Sequence, residues 1–441
     1  MITIGLDIGT TTISAVAADE KKGVLKALTI DNNTFLKQQE PWESMQQPEE
    51  ILDKAAGIVK ILLDHYPQAC CIGVTGQQHG IVYLDKNGTP VSPLYTWQDG
   101  RGNLIYEDEK SYAAYLSEIT GMPVATGYGM VTHFYNLRNH LVSQEACTFC
   151  TIADYVAMRM AGLTQPVLDA SNAASFGLFD LESGTFNIKA ASVAGISSDI
   201  FPKVADRPHF LGKTMFDIPI AVAIGDNQAS FLGAVRGQMD SALVNVGTGS
   251  QFSAYSPVLL RCEGLETRPF PLGGYLLVGA SLCGGRAYAL LESFFRDTVK
   301  MATGQEISCY AAMEKLLNAN PVPTDLPVVC TAFEGTRKNP DRRGSFTQLS
   351  TTNMTPLHWI WGVMQGMVNE LYEMYCSYLL SGAQKPVHLV GSGNGLRRNR
   401  FLCDTVSQIF ECELKLSKNM EEAALGASLF AKEIMELNYT R

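Results

Sequence analysis

The stretch Ile2-Thr3-Ile4-Gly5-Leu6-Asp7-Ile8-Gly9-Thr10-Thr11-Thr12 alternates with a period of two. Ile2, Ile4, Leu6 and Ile8 share one face and Thr3, Gly5 and Asp7 the other, which is the pattern of a half-buried strand. Gly9 to Thr12 break the alternation, and Ile13, Ala15 and Ala17 resume it, so a second strand folds back across a Gly/Thr tip. Asp7 stands on the polar face beside that tip. The pattern returns past the middle of the chain, where Val244-Asn245-Val246-Gly247-Thr248-Gly249-Ser250 aligns with Leu6-Asp7-Ile8-Gly9-Thr10-Thr11-Thr12. Two such hairpins imply two related halves.

Between and after the hairpins, apolar residues recur at helical spacing over 49–63, 111–119, 288–299, 357–380 and 420–435. Strand-like runs alternate with them. Ile72 and Val74 lead into Gly76-Gln77-Gln78-His79-Gly80, 221–225 runs into Asp226 and a helix, and 387–390 runs into Gly391-Ser392-Gly393-Asn394-Gly395 and a helix starting around Leu396. Interleaved strands and helices predict an α/β fold. A boundary near Gly237 places one hairpin in each half, giving domains 1–236 and 237–441. Residues 301–340 show no motif and read as a peripheral insertion or a helix-loop region of the second domain.

The chain has 441 residues, 46% of them hydrophobic, with 34 Lys+Arg against 44 Asp+Glu and a net charge of −10. It is long enough for two or three domains with substantial cores. The acidic balance, without a long basic run, removes the electrostatic footprint that nucleic-acid or anionic-membrane binding needs. The opening residues show no basic stretch followed by an apolar core, and no run approaches 18 apolar residues, so a cytoplasmic protein is expected. Eleven scattered cysteines fit reduced thiols. Cys147 and Cys150 form a lone CxxC without a paired histidine or second CxxC, and read as buried thiols. His65, His133, His140, His209, His358 and His388 show no ligand spacing.

A Gly/Thr tip with free backbone N–H groups and several hydroxyls suits phosphate oxygens, because glycine lets the main chain approach. Asp7, two residues before Gly9, offers an oxygen ligand to a Mg²⁺ ion bridging nucleotide phosphates. Asn245 cannot supply that charge, so the two tips differ chemically: the first attends to the metal and the transferred phosphate, the second to the other phosphates. The glycine turn at 391–395 has GxGxG spacing and stands late in the chain, which argues against a dinucleotide fingerprint. Arg397, Arg398 and Arg400 read as a solvated helix face. Ala423, Ala424, Gly426 and Ala427 form a small-residue face suited to close packing.

Asp226 follows a strand and opens a helix, so it is placed either as an N-cap or as a base that orients a hydroxyl and accepts its proton, and both roles stay open. Gln78, His79, Trp97, Gln98, Asp99 and Arg101 stand at loop ends, where amides and carboxylates accept bonds from hydroxyls and an aromatic face packs on sugar C–H groups.

Taken in order, Leu6-Asp7-Ile8-Gly9-Thr10-Thr11-Thr12, Gly76-Gln77-Gln78-His79-Gly80, Thr96-Trp97-Gln98-Asp99-Gly100-Arg101, Gly225-Asp226-Asn227-Gln228, Val246-Gly247-Thr248-Gly249-Ser250 and Gly391-Ser392-Gly393-Asn394 resemble the motifs of the FGGY carbohydrate kinases over nearly the whole chain. The Thr96 to Arg101 run, Ala125-Thr126-Gly127-Tyr128-Gly129, Asp154-Tyr155-Val156 and Asn172-Ala173-Ala174-Ser175 resemble the sedoheptulokinases of that family. Gln78 stands where many relatives have Met.

The resemblance implies two actin-like, ribonuclease-H-like domains with a cleft between them, the first on the sugar and phosphate side and the second on the nucleotide side. It implies Asp226 as catalytic base and Asp7 as the Mg²⁺-associated acid. Gln78, His79, Asp99 and Asn227 become sugar contacts, Thr10, Thr11, Gly247 and Thr248 phosphate contacts, and Gly391, Gly393 and Asn394 the adenosine motif. The expected activity is ATP-dependent phosphorylation of the terminal primary hydroxyl of a ketose, sedoheptulose first, with a xylulokinase or another ketose or polyol kinase as the alternative. An actin-like ATPase switch or scaffold would use the same paired hairpins but not the sugar-facing set. A homodimer is compatible with either.

Overall fold

The computed structural model describes residues 1–336, 339 and 341–439. They part into two compact units. The first comprises Met1–Gly237, Arg268–Gly274 and residues 419–439, and the second Gln238–Thr267 and Tyr275–Lys418. The first long segment ends at Gly237, and 268–274 and 419–439, assigned above to the second domain, fall in the first unit.

In the first unit a seven-stranded sheet runs in the order Phe210–Lys213, Pro219–Ala221, Ile72–Gly76, Ile2–Ile8, Thr12–Asp19 and Gly23–Asp31, with Ile224–Gly225 also pairing on Ile72–Gly76. The first three strands in sequence are mutually antiparallel, and Ile72–Gly76 joins Ile2–Ile8 in parallel. One face buries Ile51, Ala55, Val59 and Leu62 of helix Pro48–His65 with Ile4, Leu6 and Ile8 in a single core. The run 221–225, read as one strand, is two short ones, Pro219–Ala221 and Ile224–Gly225.

The face of Ile2–Ile8 expected to be polar is also buried. Helix Glu422–Tyr439 lies across it so closely that a Cβ at Gly5 would stand 1.7 Å from the Ala424 carbonyl oxygen, and one at Gly73 1.8 Å from that of Ala427. The Thr3 and Ser428 hydroxyls meet at 2.8 Å. Only residues without a side chain permit that approach, so the small-residue face of the last helix is a packing face.

The second unit repeats the plan. Its six-stranded sheet runs Glu266–Pro269, Tyr275–Ser281, Ser250–Ser256, Ser241–Val246, His388–Ser392 and Leu414–Leu416. Here too a hairpin and a third strand are antiparallel, and two later strands add in parallel. Asn245 occupies the place of Asp7: Asp7 faces Ser14 and Thr75, Asn245 faces Gln251 and Ser392. The second tip is a residue shorter, since Ile8 pairs with Ile13 but Val246 with Ser250. Helix Pro356–Leu380 supplies Ile360, Met364, Met367 and Leu371 to this unit's core.

Residues 301–340 hold the end of helix Gly285–Thr303, the helix Tyr310–Ala319 and the strand Val328–Cys330, with Arg337, Lys338 and Pro340 outside the described residues. Every cysteine is free; Cys150 is buried but Cys147 is exposed, against expectation, because it precedes the strand Thr148–Cys150. Among the described residues no helix is long and apolar enough to cross a membrane.

Candidate active site

Parallel pairing aligns the carboxyl ends of three strands of the first unit, with Ile8, Gly76 and Gly225 in one row. Whatever follows those ends is gathered together. Asp226 is the first residue of helix Asp226–Val235, and the cap is Gly225, so Asp226 is not the N-cap. Its carboxylate accepts from the main-chain N–H groups of Gln78 and Asn227 and, at 3.0 Å, from the Asn227 side chain. Burial raises its pKa above the ordinary carboxylate value, against the opposing pull of the Arg268 guanidinium and those hydrogen bonds.

Asp7 is half-exposed by surface area, yet its carboxyl is stripped of water, and burial followed by the carboxylates of Asp226 and Glu421 pushes its pKa to about 7. Sequence reasoning missed Glu421. It immediately precedes the last helix, whose crossing of the first strand brings it beside Asp7, and no local pattern announces that.

Gln78 is 2% exposed. Its amide donates to the Ser171 carbonyl at 2.9 Å, and its side-chain oxygen accepts from Asn227 at 3.4 Å. His79 adopts a φ of 70°, a conformation a non-glycine residue holds only when its surroundings impose it. Its ring stacks on Tyr128 with centroids 4.4 Å apart, and its Nδ1–H donates to the Ser175 carbonyl at 2.6 Å. A carbonyl only accepts, so Nδ1 carries a proton, and in the neutral ring Nε2 is the acceptor. Thr10 accepts from the Trp97 indole N–H at 2.9 Å and donates to Gln77 at 3.2 Å, while Thr11 is exposed.

Asp99 is placed differently from the other expected sugar contacts. It is fully buried, and its two oxygens take Arg101 Nε at 2.6 Å, Arg101 Nη2 at 3.2 Å and the Ser44 N–H at 3.1 Å. The guanidinium is caged by Trp42, Tyr95 and Tyr135, the nearest ring centroid 4.2 Å away. In this run the exposed residues are Trp97 and Gln98.

The second unit holds a pocket of 960 Å³. Gly247 and Thr248 of the hairpin tip line it, as do Asn394 and Gly395. Gly391 and Gly393 do not. Gly391 packs under Leu414 and Leu416, and Gly393, at φ 88°, would place a Cβ 2.5 Å from the Val246 carbonyl oxygen. They let the turn sit against the hairpin, where Asn245 also bonds Ser392 at 2.8 Å.

The pocket wall carries the near-parallel rings of Tyr288 and Tyr310, 6.2 Å apart, with Arg286, Arg398 and Arg400. Arg398 and Arg400 thus line a cavity and are more than the solvated face expected, while Arg397 donates to the Ser417 carbonyl at 2.8 Å. Tyr310 and Glu314 come from the segment that showed no motif. An aromatic slot beside guanidinium groups and a glycine tip suits a planar base carrying phosphates.

Among the described residues no three His, Cys, Asp or Glu side chains are grouped to hold a metal. One or two carboxylate oxygens are what Mg²⁺ takes from a protein when nucleotide phosphates and water complete its shell, so the Asp7 carboxylate fits it.

Two mixed sheets of one topology, each with a glycine-bearing hairpin, define an actin-like, ribonuclease-H-like pair of α/β domains. The solved xylulose kinase of Rhodospirillum rubrum matches 98% of this chain over 89% of its own, with a TM-score of 0.83 at 22% identity. By sequence the chain is 29% identical to mouse sedoheptulokinase, covering 97% of this chain and 96% of that protein. It is 23% identical to Bacillus subtilis gluconokinase over 97% and 86%. Family models for the N-terminal and C-terminal domains of the FGGY carbohydrate kinases match residues 2–233 and 242–432. The chain therefore belongs to the FGGY family of carbohydrate kinases, and it is an ATP-dependent sugar kinase.

Proposed function

We propose that the enzyme phosphorylates the terminal primary hydroxyl of a ketose and that sedoheptulose, giving sedoheptulose 7-phosphate, is its preferred acceptor. The observation that carries the reaction is the partly buried, desolvated Asp226 carboxylate at the meeting of three strand ends, held by the N–H groups of Gln78 and Asn227. An acceptor hydroxyl bonded to Asp226 is oriented for in-line attack on the γ-phosphorus. Its proton passes to the carboxylate as the bond to the β-phosphate oxygen breaks. Thr10 and Thr11 hold the transferred phosphate, Gly247, Thr248 and Asn394 hold the nucleotide, and Asp7 stands toward Mg²⁺, which supplies charge neutralisation when bound with ATP.

His79 through Nε2 and Asn227 read sugar hydroxyls. Trp97 and Gln98 replace Asp99 as the exposed members of their run, and Gln78 stands behind Asn227. Support for sedoheptulose comes from the mouse relative and the motifs of the Thr96 to Arg101 and Asn172 to Ser175 runs.

ADP release with Mg-ATP is measured across sedoheptulose, xylulose, ribulose, fructose, gluconate, ribitol and glycerol, with a no-sugar control. The highest kcat/KM is expected for sedoheptulose, and a clear preference for another acceptor replaces the substrate. Asp226→Ala is expected to lower turnover at least about a hundredfold while leaving ATP binding intact. Turnover above a tenth of wild type removes Asp226 as the base.

A further inference from the structure

We propose that Ser171 is a positioning residue for the phosphoryl transfer, with Ser175 on the same short helix doing the corresponding work for the sugar-reading histidine. The proposal rests on Asp226 as the base and His79 as a sugar contact. It gives a task to the run Asn172 to Ser175, which the mechanism above leaves without one.

Helix Ala170–Ser175 has six residues and supports both halves of the site through different groups. The Ser171 hydroxyl accepts the N–H of Gly225, the residue before Asp226, at 3.0 Å and donates to Asp169. Its carbonyl accepts the Gln78 amide at 2.9 Å. Gln78 in turn accepts from Asn227, whose amide donates to Asp226, and the Gln78 N–H bonds the Asp226 carboxylate directly. One residue therefore clasps the two loops that meet at the base. A Cβ at 225 would lie 2.1 Å from Gln78 Nε2 and 2.5 Å from Gln228 Oε1, so a larger residue there would displace the Gln78 amide from the clasp.

At the other end of the helix, the Ser175 hydroxyl accepts the His79 N–H at 3.2 Å, the Ser175 carbonyl accepts from the ring, and the hydroxyl donates to the Asn172 carbonyl at 2.7 Å. Asn172 also reaches the Ala223 carbonyl at 3.3 Å, so the helix is tied to the residue just before the strand that delivers Asp226. Ser171 is 1% and Asn172 0% exposed, and Ser175 7%. Ser171 acts through the groups it holds: a buried hydroxyl that satisfies a buried N–H beside the base keeps the carboxylate within the narrow range that transfer needs.

The test is a cycle of Ser171→Ala, Asp226→Ala and the double variant, with kcat and both KM values normalised to folded protein by circular dichroism and melting temperature. Ser171→Ala is expected to lower kcat about 10- to 100-fold and to leave both KM values within about threefold. In the Asp226→Ala background it is expected to cost no more than about twofold further. Ser175→Ala is expected to raise the sugar KM roughly fivefold or more, with the ATP KM unchanged. Ser171→Thr, which keeps the hydroxyl, should restore most of kcat. Should Ser171→Ala not fold, Gln78→Met breaks the other arm of the clasp, the bond to the Ser171 carbonyl, at similar volume and is read by the same cycle.

Wild-type kcat in Ser171→Ala while Asp226→Ala is inactive overturns the clasp and leaves the base assignment standing. An equal Ser171→Ala loss in both backgrounds reduces Ser171 to a structural role. An active Asp226→Ala overturns the base, and the proposal with it.

Discussion

Asp226 and Asp7 are ordinary residues in sequence and extraordinary in surroundings. Each loses its hydration to the junction of strand ends, and Asp226 adds its charge to the burden on Asp7. A base must be ionised to work, so kcat/KM should fall as pH drops through values above the ordinary carboxylate range. Arg268 opposes the effect of burial on Asp226. Arg268→Met is therefore expected to move the acid limb of kcat/KM to higher pH, and an unmoved or lowered limb removes Arg268 from that role. Arg268 was illegible because a single arginine in the short strand Glu266–Pro269 has no periodicity to mark its direction. Asp99 illustrates the opposite failure: its motif was plain, but only the fold shows its oxygens given to Arg101 and Ser44.

At the scale of elements, the apolar spacing located the long helices well. Positions 357–380 and 49–63 fall within Pro356–Leu380 and Pro48–His65, since their packed faces dominate the pattern. Short elements were less legible. The six-residue helix Ala170–Ser175 is too brief for a period to develop, and its role comes from hydrogen bonds to loops distant in sequence. Helix Tyr310–Ala319 buries Met313 and Leu317 but was hidden in a segment without a motif, although Tyr310 and Glu314 line the second unit's 960 Å³ pocket. The contact between the last helix and the first strand is a test of its own. Gly5→Ala and Gly73→Ala force a methyl into carbonyl oxygens less than 2 Å away, and each is expected to cost about 3 kcal/mol or more in denaturant unfolding. A loss below about 1 kcal/mol would show that the helix can shift.

For the whole molecule, the duplication announced by the two hairpins is carried through the sheets, with the same order of the five central strands in both units and different edge strands. The asymmetry lies in ownership of the last helix, which follows the second unit in sequence and completes the first in space. A chain stopped after Lys418 leaves one face of the first sheet uncovered. It is expected to bind a hydrophobic dye and lose its cooperative melting transition, and wild-type melting would show that the helix is dispensable.

The amino-acid order by itself determined the α/β class, the two hairpins, the long helices and the residues at the strand ends, because each is written in a local period or a glycine turn. The tertiary structure alone decided that the polar face of Ile2–Ile8 is buried, that Asp99 is spent on Arg101, that Glu421 and Arg268 bear on Asp7 and Asp226, and that Ser171 holds the residue before Asp226. Those facts depend on which distant segments come to lie together, and burial and charge act through space without regard to separation along the chain.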